Sequence, residues 1–348
     1  MTAWTGTVVL LPQSSRCEEE ESKAPERMIK YSIVDLGLLP HRWADDKAGL
    51  NETGAVAAWK THANNWIQAD LIKGGSQIEL GSLAGFEDTF AADINNHGMI
   101  VGVAQSRNDI RYTRAFLWRD GKMEDLPTLG GKYAAACAIN QEGDIAGKAQ
   151  MPDNSTMHAA LWSHGQVKDL GTLPKGHSSE AHAINEDDEI VGEAEASFNG
   201  HAHAFFWSDG RMQDLGLLPG GTLSSAQAIN NKHQIVGYSD TPDNGVRPVL
   251  WLHGHMTDLG TLGDGDDPSY ALDINDAGQI VGGSYLEEGQ ERAFLWEKNQ
   301  LFNLNDLIPA NSGWLLLAAY RINNQSEIIG RGFYNGTAHL FLLRPLKR

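Results

Sequence analysis

Only two cysteines, Cys17 and Cys137, occur in 348 residues. One lies near the N-terminus and the other inside an expected strand, so a stapling disulfide is not what holds this fold. No apolar run approaches the roughly 18 residues that a bilayer-spanning helix needs. No segment sustains a 3.6-residue apolar period either, which argues against a helical repeat. Basic charge is scarce: 27 Lys and Arg against 45 Asp and Glu leave a net charge of −18. A phosphate backbone or an anionic lipid surface needs a basic face, so neither nucleic acid nor membrane is an expected partner. The acidity itself reads as a solubility device.

The first residues lack the marks of an export leader. Val8-Val9-Leu10-Leu11 is apolar, but no basic segment precedes it and Cys17-Glu18-Glu19-Glu20-Glu21 follows. The expectation is a cytoplasmic protein. Residues 1–27 would be a disordered or accessory extension, or lie upstream of a natural start at Met28, and residues 28–348 would be the folded body.

What the chain has in quantity is glycine, 38 against 12 prolines, as a chain of many tight turns requires. It also has a period. Gly49-Leu50-Asn51, Asp93-Ile94-Asn95, Ala138-Ile139-Asn140, Ala183-Ile184-Asn185, Ala228-Ile229-Asn230, Asp273-Ile274-Asn275 and Arg321-Ile322-Asn323 place their asparagines 44, 45, 45, 45, 45 and 48 residues apart. Each unit continues with an Asn/Gly-type turn, a β-branched piece such as Gln279-Ile280-Val281-Gly282, and an aromatic piece such as Ala204-Phe205-Phe206-Trp207. An Asp-Gly turn and a piece ending in Asp-Leu-Gly complete it. Four short antiparallel strands in a unit of about 45 residues is a propeller blade. The seventh unit stops after its third strand, and an orphan fourth strand, Tyr31-Ser32-Ile33-Val34-Asp35-Leu36-Gly37, precedes the first. The fold class is therefore all-β: a seven-bladed propeller whose last blade is closed by the N-terminal strand, leaving no free edge.

The recurring His/Arg-Ala-Phe-Leu-Trp, Asp-Leu-Gly-Thr-Leu-Gly-Gly, Ser-x-Ala-x-Ala-Ile-Asn and Gln-Ile-Val-Gly pattern resembles the HAF repeat. His203-Ala204-Phe205, Arg114-Ala115-Phe116 and Arg292-Ala293-Phe294 carry it, and the likeness spans roughly residues 31–344. The resemblance implies a propeller and names no activity; many such proteins are exported. Unit one departs most, with Asp70-Leu71-Ile72 in place of the aromatic strand.

In a propeller the first strand of each blade lines the channel, so a position that is small in most units and charged in a few is a candidate for function. Two residues before the asparagine, Asp93, Asp273 and Arg321 interrupt a ring of Gly and Ala. Asp273 and Arg321 lie on adjacent blades, where a charge-assisted contact can form. Further up, Glu180 and His182, with His177 just before them, make the densest group for a general base; as metal ligands they would form an incomplete set, and no metal site is assigned. Phe90, Tyr270 and Tyr320 on inner strands, and Trp43 and Trp314 in connections, are the candidate ligand-contacting aromatics. The repeated tryptophans, Trp118 to Trp296, are packing. No phosphate loop, dinucleotide fingerprint or nucleophile elbow is present, and no cofactor is implied.

Two functions remain open on these residues. One is a propeller that binds a small molecule at the channel mouth; if catalytic, it would use acid–base chemistry of lyase, hydrolase or cyclase type. In that case Asp93, Asp273 or His182 is the base and Arg321 holds an anionic group. The other is a protein-interaction platform that displays its loops to a protein partner.

Overall fold

The computed structural model describes residues 31–39, 48–62, 65–196, 200–243, 245–263, 267–286 and 289–346. Trp43 and the residue 1–27 extension lie outside them. The described residues form seven four-stranded antiparallel sheets, six of them built from consecutive strands. The seventh has the order Tyr31–Leu38, Thr337–Pro345, Ile328–Tyr334, Trp314–Ile322, so the N-terminal strand supplies the missing fourth strand. It pairs from Tyr31 opposite Pro345 to Leu38 opposite His339, with one bulge between Asp35 and Gly37. Blade one is thinnest inside, with a two-residue first strand, Gly49–Leu50.

Each blade buries one face against its neighbour, and the buried residues fall into seven apolar clusters, one at each blade junction. Phe116, Phe205, Phe294 and Phe341 are fully buried at equivalent places on the third strands. Burial of one such ring contributes about 1.5–3 kcal/mol. The repeated tryptophans belong to this packing, and the indoles of Trp162 and Trp251 also donate to carbonyls of the preceding blade, Pro127 and Leu215, at 2.6 and 3.1 Å.

The asparagine that marks the period is the staple between blades. Its Oδ1 accepts from its own turn, as Asn95 does from the amides of His97 and Met99. Its Nδ2 donates to the backbone carbonyl of the next asparagine, from Asn51 to Asn95 and onward to Asn323, which returns to Asn51 at 3.0 Å. A second closed circuit runs one residue later, each backbone amide donating to the next blade's side chain, from Glu52 to Asn96 and round to Asn324 on Glu52. Both circuits close on seven blades.

The motif residues outside the channel are also structural. His158, His203 and His339 hold Asp169, Asp214 and Asp35 at 2.8–2.9 Å across the third and fourth strands. Each of these aspartates then accepts from the glycine amide two residues on. The clasp is locked by the repeat's own His–Asp pair, here across 304 residues of sequence.

Candidate active site at the channel mouth

Two features shape the channel wall. In the first strand of blades two to six the register slips by one residue, and in blade seven twice, so that Ala92, Cys137, His182, Gln227, Leu272 and Tyr320 have no opposite partner. Such a bulge re-aims a side chain. Opposite it stands the glycine that ends Ile-Val-Gly. A Cβ on Gly192 would lie 2.0 Å from the Glu180 carbonyl oxygen, and the same close approach recurs at Gly102, Gly147, Gly237, Gly282 and Gly330. This glycine is required by space, since its φ is not positive.

The channel opens into two cavities. The wide mouth, about 530 Å³, has an aromatic wall of Trp59 and Phe90, packed edge to face at 5.1 Å. Across it lies a polar wall of Lys148, Glu180, His182, Glu193 and Tyr238. The narrow end, about 170 Å³, is lined by Asp93, Asp273 and Arg321 among apolar inner-strand residues. Gln227 borders both. The inner-strand candidates thus divide into two groups: Glu180, His182 and Phe90 meet at the wide mouth, and Asp93, Asp273 and Arg321 at the other end.

At the mouth, His182 is buried and its Nδ1 donates to the carbonyl of Ala226 on the next blade at 2.9 Å. That bond fixes the tautomer and turns Nε2 toward Glu180 Oε1, 3.8 Å away. Lys148 Nζ lies 2.6 Å from the same carboxylate. Burial works to lower the Lys148 pKa, but the Glu180 charge, followed by Tyr133, Cys137 and the Glu180 hydrogen bond, holds it above the usual lysine value. Lys148 is a fixed cation. Burial, reinforced by the Glu193 charge, pushes the Tyr238 phenol up to about 12, so it is a proton-bearing donor. Glu193 stands opposite Glu180 on the second strand. Glu193 is not among the inner-strand candidates, because it lies on the second strand. The residue after the bulge glycine (after Ala58 in blade one) reads Trp59, Val103, Lys148, Glu193, Tyr238, Gly283 and Arg331 around the ring. Side chains of every class occur at this position, three of them charged.

His177 is exposed on the preceding loop, its amide donating to Glu195, and is not among the residues lining the mouth. Tyr270 packs edge to face on Tyr238 at 5.2 Å, behind the polar wall. Tyr320 is packed into the junction of blades seven and one. Trp314 stacks on Tyr334 with ring centres 5.1 Å apart, away from both cavities.

At the narrow end the two aspartates bond to backbone. Asp93 Oδ2 accepts from Ile139 and Asp273 Oδ2 from Ile322, each on the next blade, at 3.0 and 2.7 Å. Burial raises the Asp273 pKa from 3.8 to about 6, the Asp93 charge adding to it and Arg321 and the amides opposing it. The folded state therefore retains a proton that the unfolded chain releases between pH 4 and 6. Stability from this group is complete below about pH 4 and lost as pH rises through 6. The loss is on the order of 2 kcal/mol, less than for a sealed carboxyl because the narrow end admits solvent. Asp273→Asn keeps an acceptor for Ile322 and should flatten this slope. Urea melts of both proteins at pH 4.5 and 7.5 check it: the wild type should lose more stability than the variant over that interval, and equal losses would refute it.

Residues 45–204, from blade one into the third strand of blade four, match the family described as a protein of unknown function (DUF3466). No curated protein matches the sequence. Among solved structures, the β-propeller domain of the Trilobed protease from Pyrococcus furiosus is similar with a TM-score of 0.52 at 10% identity, over 74% of this chain and 82% of that one. A puromycin-hydrolyzing peptidase from Mycobacterium tuberculosis gives 0.56 at 13% identity, over 87% of this chain and about half, 52%, of that one. These likenesses are of fold. The chain is a seven-bladed β-propeller closed by its own N-terminal strand.

Proposed function

We propose that the protein binds a small polar molecule at the wide mouth and acts on it by acid–base chemistry. The observation that carries this reading is the two-sided cavity of about 530 Å³: an aromatic wall faces a fixed ammonium, two carboxylates and an oriented imidazole. A concave site with a few convergent polar groups is the usual form of a ligand pocket. Trp59 and Phe90 offer ring faces to an apolar or sugar-like face of the ligand. Lys148 and Tyr238 donate to its oxygens, and His182 Nε2 is placed to move a proton. The narrow end is read as structural, because its aspartates are occupied by inter-blade amides. The blades are read as HAF-type repeats, whose name-giving histidines belong to the scaffold.

The test is a thermal-shift screen of sugars, sugar acids and hydroxy acids, run in chelator, on wild type and on His182→Ala, Phe90→Ala and Asp273→Asn. A hit should shift the wild type and Asp273→Asn alike and lose most of its shift in the two mouth variants. A hit that survives both mouth variants would sink the assignment.

A further inference from the structure

Blade four carries a metal-competent donor at all three mouth-facing positions: Glu180, His182 and Glu193. The same positions hold Phe90, Ala92 and Val103 in blade two, and Tyr270, Leu272 and Gly283 in blade six. The repeat folds without these donors, so their coincidence in one blade is not a demand of the scaffold.

Their geometry is close to that of a site. One oxygen from each carboxylate and one imidazole nitrogen all lie within 4.8 Å of one another. Donors bound about 2.0–2.2 Å from a shared ion stand up to about 4 Å apart, so a side-chain adjustment of roughly 1 Å closes the set. The His182 Nδ1–Ala226 hydrogen bond is the outer contact that holds a ligating imidazole in place and presents Nε2. We propose that Glu180, His182 and Glu193 bind a divalent transition-metal ion of the Zn²⁺ class, with a coordination position left facing the cavity. An imidazole among the donors disfavours Mg²⁺ and Ca²⁺. Three protein ligands with an open position is the arrangement that polarises a bound oxygen. Lys148 competes with the ion: its ammonium lies 2.6 Å from Glu180 and must yield when the ion arrives. The lysine therefore opposes metal binding, a sign that ordinary cation contacts to surface histidines would not show.

This rests on the reading of the mouth as the working site and replaces one role in it, His182 being a ligand and not the base when the ion is bound; the two fail separately, because organic-ligand binding is measured in chelator. The experiment titrates Zn²⁺, with Mg²⁺ as control, into chelator-stripped full-length protein by calorimetry, and records the visible spectrum with Co²⁺. One tight Zn²⁺ site is expected in the wild type. Glu193→Gln should weaken it about 10–100-fold and His182→Ala at least as much. Lys148→Met should tighten it severalfold. The Co²⁺ spectrum should lack a thiolate charge-transfer band although Cys137 borders the cavity. Thermal melts in chelator establish that each variant is folded, and the near-isosteric Glu193→Gln decides the matter if His182→Ala is not. No tight site in the wild type, unchanged affinity in Glu193→Gln, weaker binding in Lys148→Met, or a thiolate band would each overturn the donor set.

Discussion

Deleting Lys30–Leu38 is expected to unfold the whole ring, not just blade seven. The strand pairs with Thr337–Pro345 along seven residue pairs, and Tyr31 at its start is fully buried in the cluster shared by blades six and seven. Its loss bares the edge of Thr337–Pro345, removes the Asp35 partner of His339, and opens the apolar junction of blades seven and one. An exposed strand edge is also a site of association. Loss of a strand's burial and hydrogen bonds exceeds the roughly 5–15 kcal/mol that stabilises most domains. Thermal denaturation should show no cooperative transition in the deletion variant, with aggregation at concentrations where the wild type is soluble. A variant lacking only residues 1–27 should melt with the wild type. A cooperative melt at the wild-type temperature after removal of the strand would refute the clasp.

Gly192→Ala, like the same change at the equivalent glycines of the other blades, should be among the most damaging single-methyl changes in the protein. The added Cβ falls 2.0 Å from the Glu180 carbonyl oxygen and 2.9 Å from the Ala181 Cα, both backbone atoms of the adjacent strand. Neither can rotate away, so the bulge that aims His182 must open. Overpacking of this kind costs about 1–3 kcal/mol where side chains can shift and more where the obstacle is backbone. We expect at least 3 kcal/mol here, with loss of ligand binding at the mouth. Gly210→Ala is the contrasting case. Its φ of +80° makes alanine strained, but no atom lies within 4 Å of the new methyl, so the expected cost is about 1 kcal/mol. Chemical denaturation of the two variants separates the mechanisms, and a smaller loss at Gly192 than at Gly210 would contradict the steric account.

The fold was legible because its determinants are local and repeated. The asparagine that marks the period is also the residue that staples blade to blade, so finding the period amounted to finding the ring. Closure was legible because Tyr31–Gly37 carries the Asp-Leu-Gly ending that only a fourth strand has. The site was legible in part. Glu180 and His182 stand out on the inner strand, whereas Glu193 and Lys148 lie on the second strand, where every class of side chain occurs at the equivalent position. The ring of Asp93, Asp273 and Arg321 drew attention by its charge. Its aspartates accept from amides of the next blade, contacts that residue types alone do not reveal. The bulge was invisible too: equal spacing along a strand predicts a shared face for Glu180 and His182, whereas the register slips between Ala181 and Ala183. The two groups nevertheless share the mouth, as that spacing leads one to expect, with Nε2 and Oε1 3.8 Å apart.

The most direct test of the central claim is a crystal structure of the protein with the strongest hit from the metabolite screen. The account predicts density in the wide mouth between Trp59 and the Glu180–His182 wall, within hydrogen-bonding reach of Lys148 or His182. Density for the hit at the narrow end beside Asp273 and Arg321, or on the outer loops with the mouth empty, would contradict it.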